Sequence, residues 1–160
     1  MAEDMSVSDV EEESRSVPAV AVVLGAAGLI PFVAGAVAFH LDGAIADALR
    51  TIFIPYGVII LSFTGAIHFG LAMGPGEPGR IMSRAMQFIF SVAPALWALA
   101  TIYFAPDRAG LLLSLGFGLV LAFDMRAVRD GAAPRWYPRL RVPLTVVVVV
   151  CFAAHSAAIG

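Results

Sequence analysis

Five long apolar stretches, most of them near the roughly 20 residues that a bilayer's hydrocarbon core requires, constrain this chain more than any other feature of its sequence. They run from about Pro18 to Phe39, Leu49 to Met73, Ser83 to Phe104, Arg108 to Phe123 and Val142 to Ile159. Of the 160 residues, 60% are hydrophobic and 14% charged. A soluble domain carries nearer a quarter charged residues, about 25%, because it must cover its core with polar surface. The excess apolar surface calls for a second apolar solvent, and lipid supplies it. Val146 to Val150 would also suit a strand, but an open strand edge in hydrocarbon leaves backbone groups unpaired, so helix is expected throughout. The expected fold is an all-α integral membrane bundle of five transmembrane helices.

Orientation follows from the arginines, which supply all ten basic residues. With five spans, one side receives Arg15, Arg80, Arg84, Arg126, Arg129, Arg135, Arg139 and Arg141, and the other only Arg50 and Arg108. Positive charge is retained on the cytoplasmic side, so the N-terminus is expected in the cytoplasm and the C-terminus opposite. The location expected is the cell inner membrane. The fourth stretch has an apolar part of about fifteen residues, short of the ~20 needed, but five spans keep the basic segments together. Residues 1–17 are acidic and Ser-rich, with Glu3, Asp4, Asp9, Glu11, Glu12 and Glu13, and read as a disordered tail rather than the basic start of a secretory signal. Residues 18–160 then form one membrane domain.

The second stretch reads Pro55-Tyr56-Gly57-Val58-Ile59-Ile60-Leu61-Ser62-Phe63-Thr64-Gly65-Ala66-Ile67-His68-Phe69-Gly70. With Gly28-Leu29-Ile30-Pro31-Phe32, Ser91-Val92-Ala93-Pro94-Ala95-Leu96 and Pro134-Arg135-Trp136-Tyr137 around it, this resembles the transmembrane protein 69-like family, small polytopic proteins of bacteria and mitochondria. Phe69 stands where that family often has Trp. The resemblance implies a membrane protein and supplies no activity.

Within these stretches few residues carry chemistry. At 100° per residue, Gly57, Leu61, Thr64, Gly65, His68 and Ala72 share one face of the second helix, while Ile60, Phe63, Ile67 and Phe69 point elsewhere. A small, polar stripe permits close helix approach, so His68 should face protein. Gln87, Ser91, Pro94, Ala98 and Thr101 form a comparable face on the third helix. The candidate polar intramembrane residues are therefore Ser62, Thr64, His68, Gln87, Ser91 and Thr101. Pro31 and Pro94 each remove a backbone donor and are expected to kink their helices. Gly110, Ser114 and Gly118 recur at four-residue spacing on the fourth helix and suit packing.

Arg126, Arg129, Arg135, Trp136, Arg139 and Arg141 are the candidate contacts to lipid headgroups, with Trp136 and Tyr137 at the level of an aromatic belt. Asp124 is expected at the membrane surface, in a local ion pair with Arg126 or Arg129, and no acidic residue is expected deep in any helix. Haem held between two histidines is disfavoured: His68 and His155 differ in depth by ~13 Å at 1.5 Å per residue, and His40 lies near the other surface. No cofactor is expected. Cys151 lies alone in an apolar run and reads as a packing residue.

The chain has no H-E-x-x-H, no G-x-S-x-G, and a Gly74–Arg80 segment without the Lys-Ser/Thr that grips phosphate. These absences point to a non-enzymatic accessory, assembly or interaction protein, whose partners would be membrane lipids, other membrane proteins or further copies of itself, and not nucleic acid. The alternative is a small-solute or proton pathway along the polar faces of helices two and three, which requires those faces to enclose a polar cavity.

Overall fold

The computed structural model describes residues 16–74 and 83–159. The acidic tail expected at the N-terminus lies outside the described residues up to residue 15, as does most of the Gly-Pro segment with Arg80. The described chain is all-helical: α1 Ala19–Ala38, α2 Ala44–Met73, α3 Arg84–Phe104, a 3₁₀ turn Pro106–Arg108, α4 Ala109–Arg129 and α5 Tyr137–Ile159. Five helical segments are long and apolar enough to cross a membrane.

Chain direction alternates from helix to helix, so one end of the bundle gathers the start of α1, the end of α2, the start of α3, the end of α4 and the start of α5. This is the arginine-rich end. Helix α2 packs most extensively on α3, and α5 lies against both α1 and α4. Many large apolar side chains point outward, among them Val20, Val23, Leu24 and Ile30 on α1 and Ile59 and Phe63 on α2. In water that surface would drive aggregation; in lipid it is the solvated face.

The core is aromatic and held by glycine. Phe32, Phe53, Phe117 and Phe152 meet at its centre, with ring centroids between Phe53 and Phe152 5.1 Å apart and between Phe32 and Phe152 5.7 Å apart, edge to face. Such pairs add about 0.5–1.5 kcal/mol each beyond the area they bury. A Cβ at Gly57 would lie 2.5 Å from Phe152, and one at Gly65 would lie 2.7 Å from Pro94. Both glycines therefore allow approaches that any larger residue would block. Cross-helix hydrogen bonds join neighbours: Tyr56 Oη donates to the Gly28 carbonyl over 2.9 Å, and Trp97 Nε1 to the Leu112 carbonyl over 2.8 Å. At the far end, Arg50 donates from Nε to the Ala38 carbonyl over 2.8 Å and also reaches the Leu41 carbonyl. It thus satisfies acceptors that the end of α1 leaves open.

Three helix boundaries move by five residues or more from the sequence reading: α2 begins at Ala44 rather than Leu49, and two other changes matter more. Helix α4 does not stop at Phe123 but continues to Arg129. It ends in a Schellman turn: Gly131 has φ 69°, Ala132 N–H donates to the Ala127 carbonyl over 2.8 Å, and Gly131 N–H to the Val128 carbonyl over 3.1 Å. The six extra residues add roughly 9 Å at 1.5 Å per residue, which removes the apparent shortness of the fourth span. Helix α5 begins at Tyr137 rather than Val142. Pro138 sits in its first turn, where a missing N–H is harmless.

Candidate functional site

Extending α4 and α5 draws two charged residues into the bundle. The buried positions of α4 are Ala109, Gly110, Leu113, Gly116, Phe117, Val120, Asp124 and Ala127, largely three or four apart, so the inward stripe continues onto Asp124. On α5, Tyr137, Arg141, Thr145, Val148, Phe152 and His155 are buried at the same spacing. His68 is buried on α2, where the buried set also includes Gly57, Leu61, Thr64, Gly65 and Ala72.

These three helices meet at a buried triad. His68 Nε2 lies 2.9 Å from Asp124 Oδ1, and Arg141 Nε donates to Asp124 Oδ2 over 2.7 Å. Both His68 and Asp124 are 0% exposed. With its proton on Nε2, the imidazole donates to the carboxylate, so both Asp124 oxygens are engaged by groups on two other helices. Aromatic rings enclose the site: Phe90 and Phe123 stack with centroids 3.4 Å apart, and each presents its face or edge to His68 at 5.3 and 5.0 Å. The Arg141 guanidinium lies 5.9 Å from the Tyr137 ring. Above the triad, Ala132, Ala133 and Tyr137 pack on Ala127 and close the arginine-rich end.

A buried ion pair of this kind gains specificity more surely than stability, because desolvating two charges offsets much of their attraction. Breaking it is another matter, since one charge is then left unpaired in a medium that cannot solvate it. The triad therefore acts as a three-way lock on α2, α4 and α5.

Asp124 is the residue the sequence reading misplaced. It pairs with Arg141 and His68, not with Arg126 or Arg129, and it is buried inside the bundle rather than placed at the surface. Arg141 likewise lies inside the bundle, 7% exposed, rather than at the headgroups. The reason is shared: a run of five arginines around Pro and Gly looks like a surface loop, and ending the helices at its edges hid the stripe running into it. The other headgroup candidates, Arg126, Arg129, Arg135 and Arg139, are exposed at this end, with Trp136 half-buried.

The remaining polar candidates sit apart from the triad's bonds. Gln87, Ser91, Pro94, Ala98 and Thr101 are the buried positions of α3. Hydroxyls on both faces bond within their own helices: Ser62 to the Val58 carbonyl at 2.8 Å, Thr64 to Leu61 at 2.9 Å, Ser91 to Phe88 at 2.7 Å and Thr101 to Trp97 at 2.9 Å. Of the packing candidates on α4, Ser114 bonds to the Gly110 carbonyl at 2.9 Å, Gly110 is packed against His155 and Ser156, and Gly118 is open. His155 lies near the end opposite the triad, its ring 4.5 Å from Phe39 and 5.2 Å from Phe53. His68 and His155 thus serve separate surroundings. Among the described residues, no group of three or more His, Cys, Asp or Glu side chains is arranged to hold a metal ion.

Residues 17–157 match a family model described as a protein of unknown function, DUF3429. Among curated proteins, the chain is 32% identical to Transmembrane protein 69 of Xenopus tropicalis over 84% of its own length and 53% of that protein's. It is 26% identical to Transmembrane protein 69 of Mus musculus over 84% of its own length and 54% of that protein's. The chain therefore spans about half the length of the curated relatives it matches. No solved structure matches it. A family match over residues 17–157, joined to a relative 32% identical over 84% of the chain, makes this chain a member of the DUF3429, transmembrane protein 69-like family.

Proposed function

We propose that this multi-pass membrane protein works without catalysis, as an accessory or interaction protein whose activity lies on its lipid-facing helices. The observation that carries this reading is how Asp124 and three of the buried hydroxyls are used. Asp124 has both oxygens engaged by His68 and Arg141, and the hydroxyls of Thr64, Ser91 and Thr101 bond to carbonyls of their own helices. The Asp124 contacts hold three helices together, and hydroxyls satisfied within their own helices are poorly placed to turn over a substrate. The outward surface, by contrast, is extensive: α1 exposes Val20, Val22, Val23, Leu24, Ile30, Val33 and Val37.

The competing reading, a proton or small-solute pathway between α2 and α3, needs a polar cavity between them. Gly65 closed against Pro94 and the stacked pair of Phe90 and Phe123 beside His68 both oppose it. Inner-membrane residence with the N-terminus in the cytoplasm belongs to the same proposal, supported by exposed Arg126, Arg129, Arg135 and Arg139 at one end against Arg50 and Arg108 at the other.

Photo-crosslinkers placed at Ala26 and Ile30 in native membranes test the interaction reading. A discrete adduct, formed at these positions and not at positions inside the core, is the expected result. Reconstituted protein that stays monomeric, crosslinks only to lipid and dissipates a proton gradient in vesicles would overturn it in favour of the pathway.

A further inference from the structure

Arg141 has a second unused face. Its Nε is bound to Asp124, but its Nη2 is buried without a hydrogen-bond partner among the described residues, and so is the hydroxyl of Thr145 one turn along α5. The two residues are 7% and 4% exposed. Both residues form part of the wall of a cavity of about 150 Å³ between α1, α2, α4 and α5, the two unpartnered atoms lying just behind its surface, where a turn of either side chain brings them to a ligand. The rest of that wall is nearly all apolar, with Phe32 and Phe117 among its lining residues. Leu24 and Phe63, each 67% exposed, also line it, so the cavity opens sideways into the bilayer rather than toward water.

We infer that this cavity binds a neutral membrane lipid through a hydrogen-bond-accepting carbonyl, received by Arg141 and Thr145. Three observations narrow the ligand class. An acceptor is required, because a guanidinium N–H has only donors to offer and the Thr145 hydroxyl can rotate to donate as well. Neutrality is required, because the Arg141 charge is already balanced by Asp124, and an anionic headgroup would bury a second negative charge against the same cation. The size suits a six-membered ring or a short stretch of chain, since an apolar cavity of about 150 Å³ accommodates benzene. An isoprenoid quinone and the ester end of an acyl lipid share this chemistry, and in either case the remaining chain leaves between Leu24 and Phe63. This inference does not depend on the interaction reading above.

Thermal unfolding of the purified full-length chain in detergent provides the test, with decylubiquinone, dioctanoylglycerol and dioctanoyl phosphatidate as probes. At least one neutral probe should raise Tm in a saturable way, and phosphatidate should do so less. A response to decylubiquinone alone assigns the ring; a response to dioctanoylglycerol alone assigns the ester. Thr145→Val removes a hydroxyl that has no internal partner, so its ligand-free Tm should be unchanged or higher while the binding constant weakens roughly five- to tenfold. Gly28→Leu, in a glycine of the cavity wall whose Cβ would meet only Tyr56 Oη at 3.9 Å, should abolish the response by filling the space. Should Gly28→Leu fail to fold, Thr145→Val decides alone. The inference is overturned if neither neutral probe shifts Tm, if Thr145→Val binds as tightly as the parent, or if phosphatidate binds best.

Discussion

Two histidines are buried in this bundle, and they are held in opposite ways. His68, near the arginine-rich end, is tied to a carboxylate that is itself tied to a guanidinium. His155, near the other end, lies among Phe39 and Phe53; Nδ1 of both histidines is buried without a partner among the described residues, so the difference lies at Nε2 of His68. The first is a member of an ionic lock that joins three helices; the second is an aromatic filler in an apolar layer. Residue type alone does not predict which role a membrane histidine takes. What decides is whether the facing helices bring charge to the same depth.

Asp124→Leu probes the difference most severely. It leaves Arg141 buried with no counter-charge, and the loss expected is about 3–5 kcal/mol in a denaturant titration of the purified protein. Adding Arg141→Met to Asp124→Leu should recover most of that loss, because an apolar pair of similar volume escapes the desolvation penalty. A double variant as unstable as the single one would mean that Asp124 acts through something other than the ion pair. His68→Leu ranks next, at about 1–3 kcal/mol, since Asp124 Oδ1 then lacks its donor while keeping Arg141 on the other oxygen. His155→Leu should stay within about 1 kcal/mol of the parent in either direction, because it deletes a polar atom that has no partner. Equal losses from His68→Leu and His155→Leu would erase the contrast. Arg126→Gln, at an exposed site on the same end, should change stability by less than about 0.5 kcal/mol.

The parts of this architecture that repeat every three or four residues were legible in the sequence. The inward face of α2, from Gly57 through His68 to Ala72, and that of α3, from Gln87 to Thr101, coincide with the buried positions because periodicity alone specifies them. The triad was not legible for a different reason. Asp124 and Arg141 lie within a cluster of arginines, prolines and a glycine whose composition resembles a loop, and composition outweighed the stripe that runs through Val120 into Asp124. Gly131 was the available signal, since a glycine just past the last turn marks where a helix stops. The contact between His68 and Asp124 spans 56 positions and leaves no local trace at either residue.

The tight turn after Gly131 also bears on how the chain enters the membrane. Asp124 and Arg141 are 17 positions apart, on helices that follow one another, so a hairpin of α4 and α5 carries its own neutralised charge. Once the two helices lie side by side, neither holds a bare ion, whether or not α2 has docked. An insertion that lengthened this turn would separate the two charges during synthesis, and its first symptom should be a misrouted α5 rather than a weakened finished bundle.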